Sequence, residues 1–173
     1  VRIVGAVYLS AVQPQFADRP AFLQHAFPKI ADPLGARYLA LVRADHGRWL
    51  VESSWGQASG GLPEKLLGQV LDREEPSGLD SWVAAPLASR QATSLRASSG
   101  VASDVLLAEV GAGPRLAPGG RLVAIDGWAA GLAICLSQIE ARRQLHRRTK
   151  RLEAILEIAA QWNQHLEMET LLQ

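Results

Sequence analysis

Cysteine is almost missing from this 173-residue chain, where Cys135 stands alone. One cysteine excludes an internal disulfide and any paired-cysteine metal or redox motif. The four histidines (His25, His46, His146 and His165) have no metal-ligand spacing, so no metal site is expected. Charge of one sign is not in excess either: 18 basic and 17 acidic residues leave a formal net charge of +1. Such a balance gives no general attraction to nucleic acid. No uninterrupted run of eighteen apolar residues occurs, so no membrane span is expected. Val1 to Ser10 is too short and too poorly flanked for a secretory signal. The chain has no initiator methionine, as an excerpt from a longer protein would not, and its expected compartment is the cytoplasm.

What is present is ordinary for a globular protein: 48% apolar and 20% charged residues. The length fits one compact domain with an appendage rather than two cores. We expect an N-terminal arm or strand over 1–19, a domain over 20–143 and a helical rod over 144–173.

Val1 to Ser10 fits either a strand or an arm left by a preceding domain. From Pro20 to Leu34, Phe22, Leu23, Ala26, Phe27 and Ile30 recur at helical spacing. Pro28 removes an amide donor, which predicts a kinked or two-piece helix, stopped by Pro33 and Gly35. Ala36 to Ala44 alternates, with Tyr38, Ala40 and Val42 on one face and Leu39 and Leu41 on the other. Asp45-His46-Gly47 supplies a hairpin turn. Arg48 to Trp55 alternates again, with Trp49, Val51 and Trp55 together.

After a break at Gly56 to Gly61, Leu62 to Glu75 predicts a helix with an apolar stripe of Leu66, Leu67, Val70 and Leu71. Trp82 to Leu87 and Val105 to Val110 fit short strands. The Ser-, Ala- and Gly-rich stretch from Ala88 to Asp104 has room for one more and is expected to be the most mobile, and Gly111 to Gly120 is a loop.

From Arg121 onward there is no proline, and after Gly131 no glycine. About fifty residues can then run as one helix roughly 75 Å long. Its first part, with Val123, Trp128, Leu132, Ile134, Leu136 and Ile139, is apolar enough to pack on the sheet. Farther on, Leu145, Thr149, Leu152, Leu156, Ala159, Asn163 and Leu166 alternate at spacings of four and three. That is a heptad seam with polar breaks, the pattern of a modest two-stranded coiled coil, and it implies a homodimer.

The order of elements resembles the GAF family, regulatory domains common in bacterial signalling proteins. Ile30-Ala31-Asp32-Pro33-Leu34-Gly35-Ala36 resembles the family's helix end leading into Arg37-Tyr38-Leu39-Ala40-Leu41-Val42. The run from Leu62 to Pro76 is similar to its next helix and turn. Val83-Ala84-Ala85-Pro86-Leu87 resembles its strand ending in Pro-Leu, and Leu136 to Arg142 its closing helix. The likeness covers about residues 20–143. It departs from the family in the polar stretch Ala88 to Asp104 and in lacking a Gly-rich strand after Pro-Leu. Arg151 to Leu172 in turn resembles the opening helix of a second GAF domain. Such tandems are similar to the front ends of sigma-54-dependent transcription activators and of sensor histidine kinases.

The resemblance implies an α+β domain: an antiparallel sheet of about five strands flanked by helices, with a long C-terminal coiled-coil helix. It implies a sensor without catalysis that passes a small-molecule signal through the paired helices. Tyr38, Arg73 and Trp82 are the candidate ligand residues; filling of the core is the competing role for the aromatics. The Asn-Lys-x-x-x-Phe type motif of cyclic-nucleotide-binding members is absent. One alternative is a structural dimerisation module without a ligand; another is an enzyme of the GAF-fold reductase type.

Other specific chemistries find less support. Cys135 lies in an apolar helical run, so burial is expected rather than bilin attachment, and a lone thiol cannot both attack and resolve. Ser98-Ser99 lacks a nucleophile elbow. His146 is followed by Arg147 and Arg148, where a phosphoacceptor histidine needs an acidic neighbour. The basic run from Arg142 to Arg151 has no interleaved aromatics, so a solvated flank is expected rather than nucleic-acid contact. No catalytic residue and no cofactor are expected.

Overall fold

We describe a computed structural model covering residues 9, 16, 18–87, 104–111 and 117–171, without the side chains of 118 and 163–171. Helix α1 spans Arg19–Leu34. Asp18 caps its start, its carboxylate accepting from the Ala21 amide at 2.9 Å. Gly35, left-handed at φ 63°, ends it. The helix runs unbroken through Pro28 and Pro33, so the expected division into two pieces is not found. The carbonyls those prolines leave unpaired belong to Gln24 and Lys29, both exposed, where water can satisfy them. Phe22, Leu23, Ala26, Phe27, Ile30 and Leu34 are buried on both sides of Pro28, and that continuous stripe holds the register.

Strands β1 (Ala36–Asp45) and β2 (Arg48–Gly56) form the expected hairpin. His46 and Gly47 both take positive φ, the two-residue turn whose twist suits antiparallel strands. Helix α2 (Glu64–Arg73) follows, shorter than expected by two residues at each end. Strand β3 (Ser77–Leu79) pairs with β4 (Trp82–Pro86) in a small hairpin whose first strand is too short to show a period. Strand β5 (Asp104–Val110) lies between β4 and β1, giving the order β2-β1-β5-β4-β3, every pair antiparallel. Of the Ala88 to Asp104 stretch, all but Asp104 lies outside the described residues, as do residues 112–116 of the expected Gly111 to Gly120 loop, whose last three residues are helical from Pro118 onward. Leu9 is helical and buried rather than in a strand; the rest of Val1 to Ser10 lies outside them too.

The alternation in β1 divides the core as the sequence implies. Leu39 and Leu41, with Leu106 and Ala108 of β5, pack under α1 and the long helix α3 (Pro118–Leu171). Tyr38, Ala40 and Val42, with Val105 and Leu107, pack under α2. In β2 the expected alternation fails. Val42 pairs with Val51 but Leu41 with Ser53, so Glu52 is an extra residue in a bulge. The slip moves Trp55 opposite Leu39, onto the α1 face, while Trp49 and Val51 stay on the other.

Helix α3 is the expected single long helix, 54 residues in all. Ile125, Ala129, Leu132, Leu136 and Ile139 are buried in the core at four-and-three spacing. Trp128 is partly buried beside them, but Val123 and Ile134 face outward, 52% and 43% exposed, against expectation. At 100° per residue they fall on the side opposite the buried stripe. By length and composition α3 contains a stretch able to cross a membrane, and half of that stretch is buried inside the molecule. From Glu140 to Trp162 every residue is exposed.

Candidate functional site

Three side chains stand in a row across neighbouring strands on the α2 face. Glu109 of β5 is the pairing partner of Tyr38 on one side and of Trp82 on the other. The Tyr38 and Trp82 rings meet edge to face, with centroids 6.0 Å apart. Such contacts favour aromatic pairs by about 0.5–1.5 kcal/mol beyond burial. Tyr38 is buried and Trp82 half-buried, so the row runs from the interior toward the open edge of the face.

Glu109 is the one charged residue with no solvent exposure among the described residues. Burial of a carboxylate is costly unless it is paired and hydrogen-bonded. Here Arg37 donates to Oε1, as does the Ser59 hydroxyl, and the Ser59 amide donates to Oε2 at 2.9 Å. The Arg37 guanidinium also reaches the Ser59 hydroxyl at 2.9 Å. Burial pushes the Glu109 carboxyl up, but Arg37 and the two Ser59 donors outweigh it and hold it below the ordinary value. A carboxylate so engaged is poorly placed to exchange a proton near neutral pH.

Local irregularities build this arrangement. Arg37 is the extra residue of a second bulge, since Ala36 pairs with Val110 and Tyr38 with Glu109. That is how a residue adjacent to Tyr38 reaches the carboxylate on the Tyr38 face. Gly56 closes over the bulge at φ 81°, and a β-carbon there would lie 2.1 Å from the Arg37 carbonyl oxygen. Only glycine fits. Ser59 belongs to the segment joining β2 to α2, so Glu109 pins that segment to the sheet.

Of the ligand residues expected from sequence, the fold brings Tyr38 and Trp82 together; Arg73 is exposed in the last turn of α2. Glu109, Arg37 and Ser59 were not anticipated. A lone glutamate inside the apolar run Val105 to Val110 is a readable signal. Nothing marks Arg37 or Ser59, whose roles come from a bulge and a loop.

A second charged cluster occupies the opposite face at the other end of β5. Asp104 accepts from Arg43 at 2.7 Å and from Arg19 at 2.7 Å, and Arg19 also donates to Glu52 at 2.6 Å. Burial raises the Asp104 carboxyl, and the two arginines more than reverse it, leaving it lowered. This cluster fastens the start of α1 to the sheet.

Among the described residues no group of three or more His, Cys, Asp or Glu is placed to hold a metal ion. Cys135 is fully buried in α3. In the single chain the seam residues Leu145, Thr149, Leu152, Leu156 and Ala159 are all exposed; the Asn163 side chain lies outside the described residues.

Among solved structures, the domain is similar to a GAF domain/HD domain protein from Geobacter sulfurreducens. The TM-score is 0.44 at 15% sequence identity, over 66% of this chain and 92% of that one. No family model and no curated protein matches the chain.

Proposed function

We propose that this chain is a non-catalytic regulatory domain of the GAF type, cytoplasmic, from a bacterial signalling or transcription regulator. It senses a small molecule on the α2 face, beside Tyr38, Glu109 and Trp82, and passes the state of that face through a homodimeric α3. The observation that carries this reading is the division of α3. One uninterrupted helix is packed against the sheet up to Ile139 and then leaves the domain with every residue exposed to Trp162. A rigid element shared by core and rod is what a domain needs to report on itself. A coupling of about 1–3 kcal/mol between two states suffices.

The particular effector, whether a sigma-54 activator or a histidine kinase, is part of the proposal through the resemblance of 151–172 to a second GAF opening helix. A competing reading is a structural dimerisation module whose ligand face is filled by its own side chains. What favours it is that Leu66, Leu67 and Val70 of α2 are fully buried against that face. An enzyme of the GAF-fold reductase type would need an accessible thiol, and Cys135 is buried.

A thermal-shift screen against nucleotides, amino acids, aromatic acids, haem and bilins decides between sensor and module. A ligand bound only by the folded chain adds roughly 2.7 kcal/mol at a hundredfold excess over its Kd. We expect a hit that Trp82→Leu removes while the protein stays folded. A flat screen with the dimer intact would favour the structural module.

A further inference from the structure

We infer that the ligand of the α2 face is a free amino acid with an apolar or aromatic side chain. Its ammonium and carboxylate groups take over the bonds that Ser59 makes to Glu109 and Arg37. This rests on the sensing reading above and names the class of molecule sensed.

Ser59 binds both members of an ion pair at once. Its amide donates to Glu109 Oε2 at 2.9 Å and its hydroxyl donates to Oε1, while the same hydroxyl oxygen accepts from Arg37 at 2.9 Å. Without Ser59 the carboxylate keeps one donor among the described residues, the Arg37 guanidinium, which itself loses an acceptor. A molecule that replaces Ser59 must therefore offer donors to one group and an acceptor to the other. An ammonium has three N–H donors and no acceptor, and a carboxylate accepts charge-assisted bonds from a guanidinium. A cation alone would meet Arg37 as a like charge, and an anion alone would meet Glu109. A zwitterion carries both groups and leaves the net charge of the site unchanged, so that buried charge stays paired.

Access comes through the same residue. Glu109 has no exposure, whereas Ser59 is exposed and the Arg37 side chain is 50% exposed. Ser59 is thus the layer between the carboxylate and water. It sits in Gln57 to Gly61, where every residue is exposed. Among the described residues, the hydrogen bonds from this segment to the sheet are those of Ser59. A short segment with few buried contacts opens at low cost. The ligand then competes with Ser59, and its apparent affinity scales with the fraction of molecules in which the segment is open.

The neighbouring rings select the side chain. Tyr38 and Trp82 are the two cross-strand partners of Glu109, so an ammonium bound at the carboxylate lies beside both. Aromatic faces attract such a cation. Trp82 is half-buried, and Leu62, next to the segment that opens, packs partly buried on the same apolar cluster. An apolar or aromatic side chain finds contact there, and a charged one would lose its water without gaining a partner.

The test measures binding to the full chain by calorimetry, with L-phenylalanine, phenethylamine and 3-phenylpropanoate as probes. The last two each lack one charged group. Phenylalanine should bind saturably, and each of the others at least about tenfold more weakly, the effect of losing a hydrogen-bonded charge. Leucine or tryptophan binding in its place would support the class equally. Ser59→Ala removes the competing hydroxyl from an exposed position, so the chain should fold as before and bind phenylalanine about tenfold more tightly. Glu109→Gln should lose the binding. A phenylalanine Kd unchanged in Ser59→Ala would overturn the replacement of Ser59. Equal binding of all three probes, or a screen hit confined to nucleotides, aromatic acids, haem or bilins, would leave the sensor standing and overturn the amino acid. No binding in any arm of the screen, with Ser59→Ala equally silent, would overturn both readings.

Discussion

The two faces of the sheet are built by opposite rules. Under α1 and α3 lies a broad apolar core in which Phe22, Phe27, Ile30, Leu39, Leu106 and Leu132 have no measurable exposure. Under α2 lies a thinner one, covered by ten helical residues and interrupted by an ionised carboxylate. Strand β5 serves both, with Leu106 and Ala108 toward the first and Leu107 and Glu109 toward the second. The first face can be explained by stability alone. On the second, a buried glutamate, the Arg37 bulge and a glycine with no room for a β-carbon are features that a purely structural layer does without.

Deletion in the two cores sharpens that contrast. Phe27→Ala should destabilise the chain by about 3–5 kcal/mol, because two helices and the sheet surround the cavity and cannot close it. Leu67→Ala should cost about 2–3 kcal/mol, the lower part of the range for such truncations, since a short helix at the surface can settle inward. Urea midpoints of the two variants measure the difference. Equal losses would mean that the α2 layer is held as rigidly as the other face, against the division drawn here.

Gly56→Ala comes next in size. The substitution places a methyl group against the Arg37 carbonyl at a backbone angle that L-residues avoid. We expect more than about 1 kcal/mol of destabilisation from the strain, with a specific consequence at the site. As the bulge moves, the Arg37 hydrogen bond to Glu109 should be lost, and ligand binding with it if the face is a sensor. A variant as stable as the parent would show that β2 is free to splay from β1 at this end.

Much of the fold was legible in the sequence because it rests on period. The hairpin, the division of Tyr38, Ala40 and Val42 from Leu39 and Leu41, and the long helix all follow from alternation or from the absence of breakers. What was not legible rests on insertions and on single bonds. Glu52 and Arg37 each add one residue to a ladder, and a bulge leaves no periodic trace; Trp55 was placed on the wrong face for that reason. Pro28 predicted a break, but one lost hydrogen bond at an exposed carbonyl is outweighed by the buried stripe around it. Val123 and Ile134 were expected against the sheet because composition marks a residue as apolar without saying which side of a helix it occupies. Tyr38 and Trp82 were found as aromatics on strands; the carboxylate between them needed the register of three strands at once.

The smallest effect distinguishes the two faces by pH. Glu109 and Asp104 both have carboxyls held below their ordinary values in the folded chain, one on each face. In the unfolded chain they take up protons at higher pH than in the folded one. Each therefore contributes stability that is fully present above the unfolded carboxylate pKa and is lost as pH falls through the folded pKa. Wild type should accordingly lose stability progressively on acidification below the usual carboxylate range. Glu109→Gln removes one contribution and Asp104→Asn the other, so each variant should show a shallower fall. The Glu109 variant should be the more informative at neutral pH, because its neutral amide cannot compensate Arg37 and leaves Ser59 less firmly held. If its effect is confined to that segment, amide exchange should quicken between Gln57 and Gly61 while α1 and α3 keep their protection. Uniform quickening across the chain would mean that Glu109 supports the whole fold, and the distinction between a stabilising and a working face would fail.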